Sequence, residues 1–220
     1  MPKKPTQKPA PKPRQRPVLA HQVRIIGGDW KRTPLPVLDS AGLRPTPDRV
    51  RETVFNWLTH LLDGQWTGVA CLDLFAGTGA LGFEAASRGA ARVLLVEENQ
   101  AVVRQLEASR DKLHAGQITI LRGDARTMAQ GLQRRLTGPA DLFQVIFLDP
   151  PFHAELLPAM LPLCADLLAD GGLVYLEAGQ ALDNENLPEW LNGWQVVRAD
   201  HAGMVFFHLL QRQNRPEIEA

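Results

Sequence analysis

The chain has 220 residues, of which 45% are hydrophobic, so it can bury one substantial core and suits a single domain. Its formal net charge of zero conceals an uneven distribution, because residues 1–20 hold six basic side chains and no acid. No apolar run could span a bilayer or serve as a signal peptide, and the isolated cysteines and scattered histidines give no disulfide or metal-ligand spacing, so we expect a cytoplasmic protein without a metal site.

The N-terminal segment interleaves its basic residues with six prolines, which disfavour both helix and strand. We predict a disordered basic tail over residues 1–20. Six positive charges on an extended segment suit contact with a polyphosphate backbone, and a tail that makes no contact is the equal alternative.

Residues 21–65 predict an N-terminal hairpin followed by a helix. Apolar runs on either side of Gly27-Gly28 predict a β-hairpin over 23–38, whose second strand is an edge strand because it contains prolines. Thr46 is expected to cap a helix whose first residue is Pro47 and which runs to Asp63. The arginines near this helix start indicate either an RNA-contacting patch or a solvated face, since acids offset them.

The stretch from Val69 to Gly82 predicts a strand, a glycine turn and a helix, which together open a nucleotide-binding α/β unit. Its glycines fit G-x-G-x-x-G, a pattern shared by dinucleotide binders and S-adenosylmethionine binders. Asp73 at the strand end favours the second class, because a carboxylate repels a pyrophosphate but attracts an ammonium and a sulfonium. A simple turn aspartate is the alternative interpretation.

Two later strands are also followed by acids. Glu97 comes directly after a strand over 92–96 and 20 residues after Gly77, where an acid can accept both ribose hydroxyls of an adenosine. Asp124 follows a strand over 118–121 and could accept from an adenine amino group, although it could equally be a helix N-cap.

The apolar run 142–148 predicts a central, doubly covered strand that delivers D-P-P-F. Two prolines fix the backbone there, so the carboxylate of Asp149 and the carbonyl of Pro150 face one small space. Phe152 can stack on a base that is flipped out or unpaired. This arrangement predicts a site for a planar exocyclic amine whose lone pair faces a methyl donor. Beyond it we expect a helix over 156–168, a strand over 173–177 and an antiparallel edge hairpin.

These motifs resemble those of class I S-adenosylmethionine-dependent methyltransferases that act on exocyclic amines: D-L-F-A-G-T-G-A-L-G, V-E-E-N, G-D-A and D-P-P-F. R-I-I-G-G at 24–28 and L-R-P-T-P-D-R-V-R-E-T-V-F-N-W-L at 43–58 make the chain similar to the bacterial RsmD family, which methylates a guanine N2 of 16S ribosomal RNA. The resemblance covers about residues 22–210. It implies a Rossmann-like α/β fold, with a mostly parallel seven-stranded sheet, helices on both faces and an N-terminal β-hairpin plus helix.

The resemblance also implies a role for individual residues of a methyltransferase domain over 21–220, with its S-adenosylmethionine-binding core at 66–212. The methionine end of the cofactor would contact Asp73, Ala76, Gly77 and Gly79, the ribose would contact Glu97, and the adenine would contact Asp124 and Ala125. The guanine would be held by Asp149, Pro150 and Phe152. RNA would be gripped by Arg24, Arg44, Arg49 and Arg51. The expected partner is 16S ribosomal RNA within the assembled small ribosomal subunit, bound by a monomer.

Three other functions stay open at this point. D-P-P-[FY] also occurs in enzymes that methylate adenine N6 in DNA. A nicotinamide-dependent oxidoreductase shares the glycine loop, but Asp73 and the lack of a proton-donor set argue against it. A non-catalytic RNA-binding assembly factor could retain the fold and leave D-P-P-F unused.

Overall fold

A computed structural model describes residues 22–38, 46–150 and 156–213. The predicted tail at 1–20 and the predicted site residues Arg44 and Phe152 therefore lie outside the described residues. The first described element is a hairpin of β1 (Gln22–Arg24) and β2 (Pro34–Pro36), which pair antiparallel as predicted.

A seven-stranded sheet forms the centre of the molecule. Its strands are β3 (Ala70–Asp73), β4 (Arg92–Glu97), β5 (Ile118–Arg122), β6 (Phe143–Leu148), β7 (Leu168–Ala178), β8 (Trp194–Ala202) and β9 (Val205–Arg212). Their spatial order is β5-β4-β3-β6-β7-β9-β8, with parallel pairing from β5 to β7 and an antiparallel edge pair. This order confirms the predicted Rossmann-like, mostly parallel sheet.

Five helices cover the two faces of the sheet: α1 (Asp48–Leu61), α2 (Ala80–Ser87), α3 (Gln100–Leu113), α4 (Ala125–Gln133) and α5 (Leu156–Leu167). One apolar cluster joins α1, α2 and α3 to one face, and a second joins α4 and α5 to the other. Strand β6 contributes Val145 and Phe147 to the first cluster and Ile146 and Leu148 to the second. The prediction of a doubly covered central strand is therefore confirmed.

Several element boundaries differ from the predicted ones. Strand β7 starts at Leu168, because the chain leaving α5 pairs at once with Phe143 before a shift of register. Strands β8 and β9 extend to the Ala202–Val205 pair, so only two residues connect them. Antiparallel strands remain hydrogen-bonded up to the turn that joins them, and amino-acid composition alone does not show where that turn begins.

Helix α1 starts at Asp48, one residue after the predicted start, and the predicted cap is wrong. Pro47 occupies the N-cap position and makes no side-chain capping bond. The hydroxyl of Thr46 instead donates to Oδ2 of Asp149, 3.3 Å away. The residue expected to start the helix therefore lies against the predicted catalytic acid.

Glu84 on α2 fastens the N-terminal hairpin to the sheet. Its fully buried carboxylate accepts hydrogen bonds from the amides of Ile26 (2.6 Å) and Gly27 (2.8 Å). Gly28 has a φ of +73°, and a Cβ there would lie 1.8 Å from the carbonyl oxygen of Ser87. The R-I-I-G-G segment thus needs glycine because its backbone lies directly on the end of helix α2.

Candidate active site

The glycine turn and Asp149 lie at the carboxyl ends of adjacent strands. Asp73 of β3 is in register with Phe147 of β6, and Phe147 is in register with Tyr175 of β7. After β3 the chain continues to β4 on one side of it, whereas β6 lies on the other side. The strand order therefore reverses between β3 and β6, and a crevice forms there. Ligands of open α/β sheets bind at such a position.

Asp73 is a buried carboxylate without an internal partner. Its residue is only 1% exposed, and neither carboxylate oxygen has a hydrogen-bond partner among the described residues. The pKa of Asp73 is raised to about 7, mainly by burial and also by the charge of Glu97; the amides of Phe75 and Gly82 lie near enough to act in the opposite direction, although neither forms a well-aligned hydrogen bond. A buried carboxylate in this condition is costly, and a cationic ligand would compensate it. The site therefore fits the positive charges of S-adenosylmethionine.

The glycine turn after β3 is tight and closely packed. Gly77 and Gly79 have positive φ angles of 48° and 78°, which favour glycine. A Cβ at Gly79 would also lie 2.6 Å from side-chain atoms of Phe83 and Leu106. The amide of Ala76 donates to the carbonyl of Val96 at 2.9 Å, which ties the turn to β4.

Glu97 lies beside this turn. Its Oε2 accepts from the amide of Gly77 at 2.9 Å, and its Oε1 accepts from the amide of Asn99 at 2.7 Å. Each carboxylate oxygen can accept more than one hydrogen bond, so both retain capacity for a hydroxyl group. The structure thus puts Glu97 beside the glycine turn, and its contact with a ribose stays a prediction.

Asp124 is a helix N-cap, which is one of the two roles that the sequence predicts for it. Its Oδ1 accepts from the amide and the hydroxyl of Thr127, both at 2.8 Å. These bonds lower the pKa of Asp124 and keep it ionised. Cap formation uses only Oδ1, so an adenine contact through Oδ2 stays a prediction. Ala125 follows as the first residue of α4 and is buried.

Three residues that the sequence analysis did not assign to the site surround Asp149. Thr46 donates to Asp149, and the hydroxyl of Tyr175 donates to Oε1 of Glu177 at 2.6 Å. The pKa of Asp149 is raised to about 8, first by burial and then by the charges of Glu177 and Asp73, and the Thr46 bond acts in the opposite direction. Burial also raises the pKa of Glu177. The signal for Glu177 was available, because it ends the strand predicted next to the D-P-P-F strand.

The arginines predicted to bind RNA have different environments. Arg24 and Arg49 are exposed, whereas Arg51 is fully buried. Arg51 donates to the carbonyls of Thr46 (3.2 Å) and Arg24 (2.9 Å) and pairs with Asp48 (2.7 Å). The predicted RNA contact of Arg51 is therefore wrong, because its guanidinium holds the backbone around the start of α1 and does not reach the surface.

Three further features bear on the kind of site. Arg24 and Arg32 line a shallow cleft of about 210 Å³ together with the acids Asp48 and Glu52. Within the part of the chain that the structure describes, no cluster of potential ligands could hold a metal ion. No helix within the same ranges is long and apolar enough to cross a membrane.

Comparison with known proteins gives matches over almost the whole described chain. The family model described as "Conserved hypothetical protein 95" matches residues 23–211. An Escherichia coli protein named "Ribosomal RNA small subunit methyltransferase D" is 42% identical over 203 residues, which cover 90% of this chain and 94% of that protein. The protein of the same name in Haemophilus influenzae is 36% identical over 204 residues, covering 90% and 97% of the two chains. The solved structure of Escherichia coli yhhF has a TM-score of 0.74 and 40% identity, and the match covers 89% of this chain and 100% of that one.

Proposed function

The chain belongs to the RsmD family of ribosomal RNA methyltransferases, and we propose that it transfers a methyl group from S-adenosylmethionine to the exocyclic N2 amine of a guanine in 16S ribosomal RNA. The observation that carries this proposal is the buried, unpartnered carboxylate of Asp73 on the strand next to Asp149. The end of β3 would bind the cationic donor, and the end of β6 would bind the amine. Because the two strands are adjacent, a methyl group could pass directly from one bound molecule to the other.

The donor side of the crevice is formed by the glycine turn and the acids around it. S-adenosylmethionine, when bound, supplies an electrophilic methyl group on a cationic sulfur. Asp73 and the turn from Ala76 to Gly79 would hold its methionine end, Glu97 its ribose, and Asp124 with Ala125 its adenine. The closeness of Glu97 to the Gly77 amide supports this assignment, because it puts the ribose acceptor next to the turn.

The acceptor side is the end of β6. The carboxylate of Asp149 accepts one N–H of the guanine amine, and the carbonyl of Pro150 accepts the other. With both hydrogens engaged, the nitrogen lone pair is aimed at the methyl group, so positioning supplies most of the rate enhancement. Asp149 then takes the proton that the amine loses. Phe152 stacks on the base, a role that rests on the D-P-P-F sequence.

RNA contacts are assigned to exposed basic side chains near the start of α1. Arg49 comes three residues after Thr46, whose hydroxyl bonds Asp149, so it lies on the side of the molecule where a nucleotide must enter. Arg24 and Arg32 extend this surface along the hairpin. Arg44, two residues before Thr46 in the sequence, is proposed as a further RNA contact. Phosphate contacts of this kind supply affinity and orientation without reading the base.

The proposed substrate is 16S ribosomal RNA within the assembled small subunit, modified in the cytoplasm by a monomer. With six basic residues in the first 20 and no net charge, residues 21–220 carry a net negative charge. A negatively charged body binds naked RNA poorly, so contacts with ribosomal proteins would supplement the RNA contacts.

The test is transfer of labelled methyl from S-adenosylmethionine to small subunits that lack the modification, followed by nucleoside analysis. We expect label in N2-methylguanosine with the wild type. The Asp149→Ala variant should still bind S-adenosylmethionine and, at saturating cofactor, transfer at least about 100-fold more slowly. Label in N6-methyladenosine would support the adenine alternative, and cofactor binding without any transfer would support a non-catalytic assembly factor.

A further inference from the structure

Asp149 belongs to a cluster of polar side chains that extends beyond the proposed acceptor site. Leu148 of β6 is in register with Leu176 of β7, so Asp149 and Glu177 follow at adjacent strand ends. Thr46 donates to Oδ2 of Asp149 at 3.3 Å, and Tyr175 donates to Oε1 of Glu177 at 2.6 Å. Glu177 is partly exposed, so it can exchange a proton with water.

The cluster holds more negative charge than the protein alone can stabilise. Glu177 and Asp73 both raise the pKa of Asp149, and Glu97 in turn acts on Asp73. Within residues 22–38, 46–150 and 156–213, no ion pair joins these acids to a basic side chain. Neighbouring carboxylates without a cation retain protons at a pH where isolated ones have lost them.

We propose that Glu177 is a positioning residue that acts through Asp149. The two carboxylates, which end adjacent strands, form one proton-binding unit that releases a proton when a cationic donor binds and recovers one when that positive charge is lost. This inference rests on the proposed methyl transfer. In that reaction the N–C bond forms as the C–S bond breaks, the electron pair stays with sulfur, and the amine loses one proton. Asp149 accepts this proton, and Glu177 passes it to water.

The hydroxyl groups explain how the two acids act together. Thr46 has one hydrogen and can donate to only one carboxylate at a time, and in the structure it donates to Asp149. Tyr175 stabilises the ionised form of Glu177, which leaves the proton on Asp149 in the ligand-free protein. Arg51 donates to the carbonyl of Thr46 and thereby holds this hydroxyl beside the acids.

Proton release on cofactor binding tests the inference without requiring turnover. Calorimetric titration with S-adenosylmethionine at pH 8, in two buffers of different ionisation enthalpy, gives the number of protons released. We expect measurable proton release by the wild type, because burial and the neighbouring charges raise the pKa of Asp149 into this pH range. Glu177→Gln should release less than half as much as the wild type, because loss of the neighbouring charge lowers the proton affinity of Asp149.

Two further variants sharpen the test. Thr46→Val removes a bond that favours ionised Asp149, so it should release more protons than the wild type, a change of opposite sign. The matched control is Glu107→Gln, the same change at an exposed position of α3, and it should release the same number as the wild type. In single-turnover methylation, Glu177→Gln should move the acidic limb of the rate profile down by about one pH unit.

Equal proton release by Glu177→Gln and the wild type would overturn the inference, as would shifts of the same sign in Glu177→Gln and Thr46→Val. If Glu177→Gln fails to fold, the sign of the Thr46→Val shift decides alone. Failure of the proposed function is a separate outcome, because it is read from the methylated nucleoside, whereas proton release requires only the donor.

Discussion

Replacement of Asp73 by asparagine should stabilise the ligand-free protein and weaken cofactor binding. The pKa of Asp73 rises from an ordinary 3.8 to about 7 on folding, mainly through burial. The folded chain therefore binds this proton more tightly than the unfolded chain, so wild-type stability falls as the pH rises from about 4 to about 7. The difference between the two pKa values corresponds to about 4 kcal/mol. An asparagine side chain carries no charge and avoids this cost.

Thermal unfolding as a function of pH is the assay. At pH 8 we expect Asp73→Asn to unfold at a temperature roughly 10 °C above the wild type, given about 4 kcal/mol in a chain of this size. At pH 4 the two proteins should differ little, because Asp73 is then protonated in the folded state. Saturating S-adenosylmethionine should stabilise the wild type more than the variant, because the ligand supplies the missing cation.

A control for this prediction is Asp170→Asn, which changes an exposed aspartate outside the crevice. It should show neither the gain in stability at pH 8 nor the loss of affinity for S-adenosylmethionine. The reasoning is refuted if Asp73→Asn is no more stable than the wild type at pH 8, or if its difference from the wild type does not depend on pH.

The remaining predictions concern the scaffold around the site. Glu84→Ala should lower the free energy of unfolding, measured by chemical denaturation, by about 3–5 kcal/mol. The substitution removes the acceptor of two backbone amides and a counter-charge of buried Arg51. A loss below about 1 kcal/mol would contradict this role. Gly28→Ala should destabilise far more than Gly64→Ala, since both positions have positive φ but only the Cβ at 28 meets backbone atoms; equal losses would refute the close approach. Asp124→Ala should cost about 1 kcal/mol through loss of the N-cap and should also weaken S-adenosylmethionine binding, measured by calorimetry; unchanged affinity would exclude the adenine contact.

Sequence patterns predicted the sheet and the acids at its edge because these depend on local signals. A strand that ends in Asp73 and a glycine turn, and another that ends in D-P-P-F, each place their acids at a carboxyl end without reference to the rest of the chain. The resemblance supplied the mostly parallel seven-stranded sheet, and the structure supplied the strand order that puts the two ends side by side. The hydrophobic periodicity and the turn residues were therefore enough to predict these elements.

Arg51, Glu84 and Thr46 could not be assigned correctly, because their roles depend on contacts between distant segments. Arg51 lies on the same helical face as Val54, Phe55 and Leu58, which was a signal for burial that its charge obscured. Glu84 is the only acid in an otherwise small and apolar helix, which in hindsight indicates a buried partner. Cap propensity predicted a local bond for Thr46, and a contact over 103 residues replaced it.

The most direct measurement of the central claim is a crystal structure of the chain with S-adenosylhomocysteine. The account predicts the amino group of this ligand next to Asp73, its ribose hydroxyls on Glu97, and its sulfur facing the end of β6 at Asp149. A ligand bound elsewhere, or one whose sulfur points away from Asp149, would contradict the account.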